Sequence, residues 1–220
     1  MPYPIARRTI LPILARRMKV EGLEHVPTTG PFLIAANHQS YIDPPQIAFP
    51  LIVKRNIKIW FLTTERVWRA FRRFGSGRVL RWLGMIPIMD AKKSDSLGPA
   101  LDVLERGGIV GIFPEGGRNL PHKNPDWQTV MMRGKTGAVR LALASGAPVV
   151  PAGIVAPTGI TAGQAIKNFI FNREPAIVRF GPPIVWPKID PAMLTKEDLT
   201  NKTRELMLAI GRLCGKTYRD

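Results

Sequence analysis

Five short apolar runs, each closed by a polar, glycine or proline turn, constrain this chain most. They lie at 32–36, 85–89, 109–113, 149–155 and 176–180. Runs of this length, apolar at almost every position, read as strands buried on both faces. Between them the apolar period changes to that of a helix. Leu97, Leu101 and Leu104 recur through 94–106, Ala138, Leu141 and Ala142 through 133–145, and an amphipathic helix closes the chain over 195–214. Strands alternating with helices predict an α/β fold: a mixed, partly parallel sheet flanked by helices. At 220 residues the chain suits one such domain, over 20–220, with a small accessory segment at 1–19.

Charge narrows the possible partners. Lys and Arg number 32 against 16 Asp and Glu, a net of +16. Such a field favours nucleic acid, an anionic membrane surface, or acidic small molecules and carrier proteins. Apolar content of 45% excludes a disordered chain. The one cysteine, Cys214, cannot form an internal disulfide and reads as a buried residue of the closing helix. No secretory signal is read, because Pro12 breaks the short apolar run at 10–15. The long uncharged stretch 141–166 carries three prolines and four glycines, so it reads as a helix end, a buried strand and a loop.

Two basic segments have amphipathic character. Residues 3–19 place Arg7, Arg8, Arg16, Arg17 and Lys19 around Ile5, Ile10, Leu11, Ile13 and Leu14, which predicts one helix suited to lying on anionic lipid. Nine basic residues and one acid fall within 54–81. There Val67, Trp68, Phe71 and Phe74 alternate with Arg66, Arg69, Arg72 and Arg73, predicting a second interfacial helix over 64–83.

The residues with chemistry to offer follow the first strand: Asn37-His38-Gln39-Ser40-Tyr41-Ile42-Asp43-Pro44. An imidazole and a carboxylate, with four residues between them, stand at a strand exit. Asp43 also reads as the N-cap of a helix, with Gln46 three residues on. The spacing alone is weak, since this composition gives such a match in roughly one chain in nine. A second strand ends in Phe113-Pro114-Glu115-Gly116-Gly117-Arg118, which adds an acid, two amides without side chains and a guanidinium. Glycine lets backbone approach a ligand closely, and arginine's fork suits phosphate oxygens.

These blocks, with Gly84-Met85-Ile86-Pro87-Ile88 and Val150-Pro151-Ala152-Gly153-Ile154, resemble the glycerolipid acyltransferases typified by 1-acylglycerol-3-phosphate acyltransferase. The resemblance covers roughly 20–185. It implies transfer of a fatty acyl group from coenzyme A or acyl-carrier protein to a lysophosphatidate hydroxyl, at the cytoplasmic face of a membrane and without a further cofactor or metal. By that resemblance His38 is the general base and Asp43 orients it. Glu115, Gly116 and Gly117 shape the acceptor site, Arg118 binds phosphate, and Lys135 and Pro151 help line the pocket.

Two positions depart from the family pattern. Asp90 stands where the second block commonly has a phosphate-binding arginine, so Lys92 or Lys93 is the expected substitute. Gly117 replaces the usual Thr or Ser. The acceptor therefore stays open to another lysolipid or a glycolipid. A non-catalytic basic module binding lipid or nucleic acid is the alternative of another class, although no recognised nucleic-acid motif is present. His25 and His122 carry no assigned role.

Overall fold

Every residue of Phe32–Ala36 is buried, and this strand (β2) stands at the centre of a seven-stranded sheet. The computed structural model describes residues 3–65, 68–69, 77–88, 96–156, 161–171 and 175–219. The other strands are β1 (Met18–Glu21), β3 (Ile59–Thr64), β4 (Met85–Ile88), β5 (Ile109–Ile112), β6 (Val149–Val155) and β7 (Ala176–Phe180). Their spatial order is β1-β7-β6-β2-β5-β3-β4, and only β6 and β7 pair antiparallel. The sheet is mixed and mostly parallel, as the alternation of strands and helices predicts.

Among the described residues the α-helices are α1 (Pro4–Arg8), α2 (Ile10–Ala15), α3 (Asp43–Arg55), α4 (Gly77–Trp82), α5 (Gly98–Glu105), α6 (Gly137–Ser145), α7 (Ala162–Phe171) and α8 (Lys196–Cys214). Alternation along β2 sorts them into two layers. Phe32, Ile34 and Ala36 join a core with Ile47 and Leu51 of α3. Leu33 and Ala35 join the opposite core, with Leu104 of α5, Leu141 of α6, and Leu206 and Ile210 of α8. A parallel strand buried on both faces needs helices on both sides, and the sequence supplies them.

One close approach fixes the second layer. A Cβ on Gly153 of β6 would lie 2.4 Å from the carbonyl carbon of Leu213, so only glycine lets α8 settle against that strand.

The amino-terminal segment differs from the single helix predicted over 3–19. Two short helices meet at Thr9 (φ −112°, ψ −86°), and β1 begins at Met18. Pro12 has no N–H for the carbonyl of Arg8, which removes the hydrogen bond that would carry one helix across the junction. The pair packs on α3: Leu11 is buried, and Arg7 Nε donates to the Ile52 carbonyl at 3.1 Å. The Tyr3 hydroxyl donates to the Trp82 carbonyl at 2.9 Å, its ring edge-on to the indole. Ile5, Ile10 and Ile13 remain exposed.

Nine of the twenty residues of the helix predicted over 64–83, including Arg66, Val67, Phe71, Arg72, Arg73 and Phe74, lie outside the described residues. Within them, Arg69 pairs with Glu65 at 2.6 Å, and Trp68 is buried beside Gly77 rather than facing solvent. Among the described residues, β1 overlaps the end of the helix predicted over 3–19, and β3 and α7 went unread in the sequence. β3 alternates buried Ile59, Phe61 and Thr63 with partly exposed neighbours inside a basic stretch. α7 follows a run of prolines and glycines that reads as loop, and its Gly163 has open space around it.

Candidate active site

At the end of β2 the chain is pinned before it leaves the sheet. Asn37 Nδ2 donates to the Ile154 carbonyl at 3.0 Å, and the Ile154 amide donates to Asn37 Oδ1 at 2.7 Å. The first and fourth sequence blocks are thereby stitched together. Pro151 is buried in β6 opposite Ala35, its carbonyl accepting the Gly181 amide at 2.9 Å.

His38 follows Asn37 directly. Its Nδ1 lies 2.8 Å from Asp43 Oδ2, and the same oxygen accepts the amides of Gln39 and Ser40, each at 2.7 Å. Asp43 is 2% exposed, so this carboxylate serves the loop and not solvent. The expectation that Asp43 caps the helix is corrected here: Ile42 is the N-cap, and no side chain caps α3. Pro44 and Pro45 offer no N–H, and the Gln46 amide already donates to the Ile42 carbonyl at 3.0 Å. The nearest unsatisfied donors precede Asp43, and its side chain turns back to them.

This arrangement sets the imidazole. A carboxylate accepting at Nδ1 places the proton there and leaves Nε2 with its lone pair. The His38 side chain is 17% exposed, and its ring stacks on Phe113 at 4.1 Å between centroids. The ring is held in one orientation, with the lone pair on Nε2.

The end of β5 clamps the same residue through its backbone. Glu115 Oε1 accepts the His38 amide at 2.9 Å, and Oε2 accepts the Met132 amide at 3.0 Å. The Asn119 amide donates to the His38 carbonyl at 2.7 Å. Glu115 is 1% exposed, and burial raises its carboxyl above the ordinary value against the pull of these two amide bonds. Each of its carboxylate oxygens already holds a backbone amide.

Cations surround the following turn. Gly116 has φ +68°, and a Cβ there would meet Lys135 Nζ at 2.6 Å, so the lysine arches over the glycine. Lys123 Nζ stands 3.4 Å from where a Cβ of Gly117 would be. The Arg118 guanidinium lies 3.7 Å above the Tyr41 ring. Of the residues expected in the acceptor site, Lys135 lies over Gly116 and Arg118 on the Tyr41 ring. Lys123 was missed, because it sits in a polar loop with no motif to mark it. Asp90, Lys92 and Lys93 lie outside the described residues.

Comparison with known proteins agrees with this architecture. The acyltransferase family model matches residues 17–155, more than half of the chain. Human 1-acyl-sn-glycerol-3-phosphate acyltransferase alpha is 26% identical over 201 residues, covering 89% of this chain and 64% of that protein. The mouse protein of the same name is 30% identical over 140 residues, covering 61% and 44%. The 1-acyl-sn-glycerol-3-phosphate acyltransferase of Bacillus subtilis (strain 168) is 26% identical over 159 residues, covering 71% and 72%. The chain thus spans less than two thirds of the length of the two mammalian relatives.

In the crystal structure of the 1-acyl-sn-glycerophosphate (LPA) acyltransferase PlsC from Thermotoga maritima, the fold recurs with a TM-score of 0.61. That alignment is 21% identical and covers 94% of this chain and 80% of that one. The matched segment contains all four sequence blocks and the strands that carry them, and on that match the chain belongs to the acyltransferase family.

Proposed function

We propose that the chain transfers a fatty acyl group from an acyl-CoA or acyl-carrier-protein thioester to the free hydroxyl of a lysolipid, lysophosphatidate being the first acceptor to test. The observation that carries this reading is the His38–Asp43 pair, with Nε2 left as an accessible base beside a cation-ringed glycine turn. The names of the relatives point to the same acceptor.

In this mechanism the acceptor hydroxyl gives its proton to His38 Nε2 as its oxygen attacks the thioester carbonyl. Asp43 steadies the imidazolium that forms. Collapse of the tetrahedral adduct breaks the carbon–sulfur bond, and the imidazolium returns the proton to the departing thiolate. The new ester and the free thiol leave. Arg118, Lys123 and Lys135 hold the acceptor's phosphate near the Gly117 amide, the Gly116 amide being given to the Phe113 carbonyl at 2.9 Å.

Such substrates reside in a bilayer, and lifting an acyl chain into water costs about 0.8 kcal/mol per methylene. No helix among the described residues is long and apolar enough to cross a membrane. The exposed Ile5, Ile10 and Ile13 of the amino-terminal pair, with Val79, Trp82 and Leu83 around α4, would rest on the cytoplasmic face instead. Their basic neighbours Arg7, Arg8, Arg78 and Arg81 suit anionic headgroups.

The test is an acyl-transfer assay on anionic vesicles with labelled donor. His38→Ala should lose at least about a hundredfold in turnover, with melting temperature and vesicle binding unchanged. Undiminished turnover in that variant would end the mechanism, whereas vesicle binding without turnover in wild type would favour a non-catalytic lipid-binding module.

A further inference from the structure

The stretch that follows α8 lies outside the segment matched by the acyltransferase family, yet it reaches the loop that clamps His38. Gly215 ends α8 in the left-handed region (φ +73°), which turns the chain back toward residues 129–134. Thr217 then bridges Val130. Its amide donates to the Thr129 carbonyl at 2.8 Å, and its carbonyl accepts the Met131 amide at 2.9 Å. Between them, Lys216 Nζ donates to the Trp127 carbonyl and stands 5.9 Å from the indole centroid.

The Trp127 carbonyl is a meeting point. It also accepts Asn119 Nδ2 at 3.3 Å and Gln39 Nε2 at 3.4 Å. Gln39 is the residue whose amide holds Asp43, and Asn119 is the residue whose amide holds the His38 carbonyl. One backbone oxygen therefore joins three segments far apart in sequence: the His38 loop, the loop after Glu115, and residues 215–218. Of its three donors only Lys216 carries a charge, and a charged donor makes the stronger hydrogen bond.

We propose that Lys216 is a positioning residue for the His38 base. Its ammonium anchors the Trp127 carbonyl, so that the 119–134 loop keeps Asn119 on the His38 carbonyl and presents Met132 to Glu115. Loss of that anchor lets the loop shift, which displaces Nε2 from the acceptor hydroxyl and carries Lys123 with it. A displacement of about 1 Å at a reacting group can cost on the order of a hundredfold in rate. Lys216 is half-buried: burial lowers the ammonium below lysine's ordinary range, while Cys214, Glu115 and Asp43 pull it back up. The proposal rests on the acyltransferase reading of the site for its kinetic half only.

The test compares wild type with Lys216→Met, which keeps the stem and removes the donor, and Lys216→Arg, which restores a charged donor. Steady-state kinetics on anionic vesicles and amide hydrogen exchange at His38 and Met132 are read together. Lys216→Met should lower kcat by about 10- to 100-fold with KM for the thioester donor within about twofold, and should speed exchange at both amides. Lys216→Arg should recover most of both. Unchanged kcat and exchange in Lys216→Met would overturn the proposal. So would a loss that follows a fall in melting temperature and is not rescued by arginine. If wild type transfers no acyl group to any lysolipid, the acyltransferase reading fails instead, and exchange at His38 and Met132 still decides whether Lys216 anchors the loop.

Discussion

Glu115 Oε1 holds the backbone amide of His38 at 2.9 Å, so the acid of one strand end fixes the main chain of the imidazole at another. Glu115→Ala leaves the amides of His38 and Met132 without this acceptor, at a cost of about 1–3 kcal/mol for each donor left unsatisfied. Glu115→Gln keeps one acceptor oxygen and should be destabilised less. The carboxyl's raised value gives a pH signature. Above about pH 4.5 the folded state retains a proton the unfolded chain has released, so unfolding sheds a proton. The stability of wild type relative to Glu115→Gln is therefore greatest below that pH and declines as pH rises through the elevated value. Urea denaturation of both proteins from pH 4 to 7 reads this slope, and a flat difference counts against it.

Asp43→Asn retains an oxygen for the amides of Gln39 and Ser40 but removes the charge opposite His38. The fold should persist while kcat falls by about 10²–10⁴-fold, because neither the tautomer nor the imidazolium is held. Circular dichroism alongside the acyl-transfer assay separates the two effects. Turnover close to wild type would remove Asp43 from the mechanism.

Lys123 and Lys135 flank the Gly116–Gly117 turn. Replacing either with Met should raise KM for phosphate-bearing acceptors by about tenfold, the loss of one charge-assisted contact, and leave neutral lysolipids unaffected. A parallel series with Asp90→Arg ranks the acceptors. A gain on phosphate-bearing acceptors there would indicate that lysophosphatidate is not the natural one.

Gly153→Ala places a methyl group against the backbone of Leu213 and Cys214. Neither β6 nor α8 can yield cheaply, so a loss of about 1–3 kcal/mol is expected, seen as a lower melting temperature. An unchanged melting temperature would mean that α8 stands further from the sheet.

Burial pushes the Cys214 thiol up to about 11. At pH 8 the native thiolate fraction is then roughly one in a thousand. Iodoacetamide should label the chain slowly until denaturant exposes the residue, and labelling should accelerate steeply with pH. Rapid alkylation of the folded protein at pH 8 would contradict this burial.

Five of the seven strands were readable as apolar runs, as were the helices at 98–105, 137–145 and 196–214. Each carries its own periodic or turn signal. β3 and α7 were hidden by local composition: basic neighbours around one, prolines and glycines around the other. The amino-terminal segment showed its basic residues and isoleucines, but Pro12 and packing on α3 divided the single helix that pattern suggested. His38 and Asp43 could be paired from their spacing at a strand exit. Asp43 as a helix cap could not survive, because two prolines removed the donors it would have served.

The sequence by itself determined which residues leave the sheet together: a base, its carboxylate partner, a glycine turn and an excess of cations. Side-chain type and local period are written along the chain, and they suffice for that much. Only the tertiary structure decided how those residues are held. Glu115 meets the His38 amide across 77 residues of chain, Asn37 meets Ile154 across 117, and Lys216 meets Trp127 across 89. Hydrogen bonds to backbone amides and carbonyls leave no mark on residue type, since nearly every residue carries the same donor and acceptor. Which of them pair depends on strand register and loop path, and those are fixed only when the sheet and its two helical layers close.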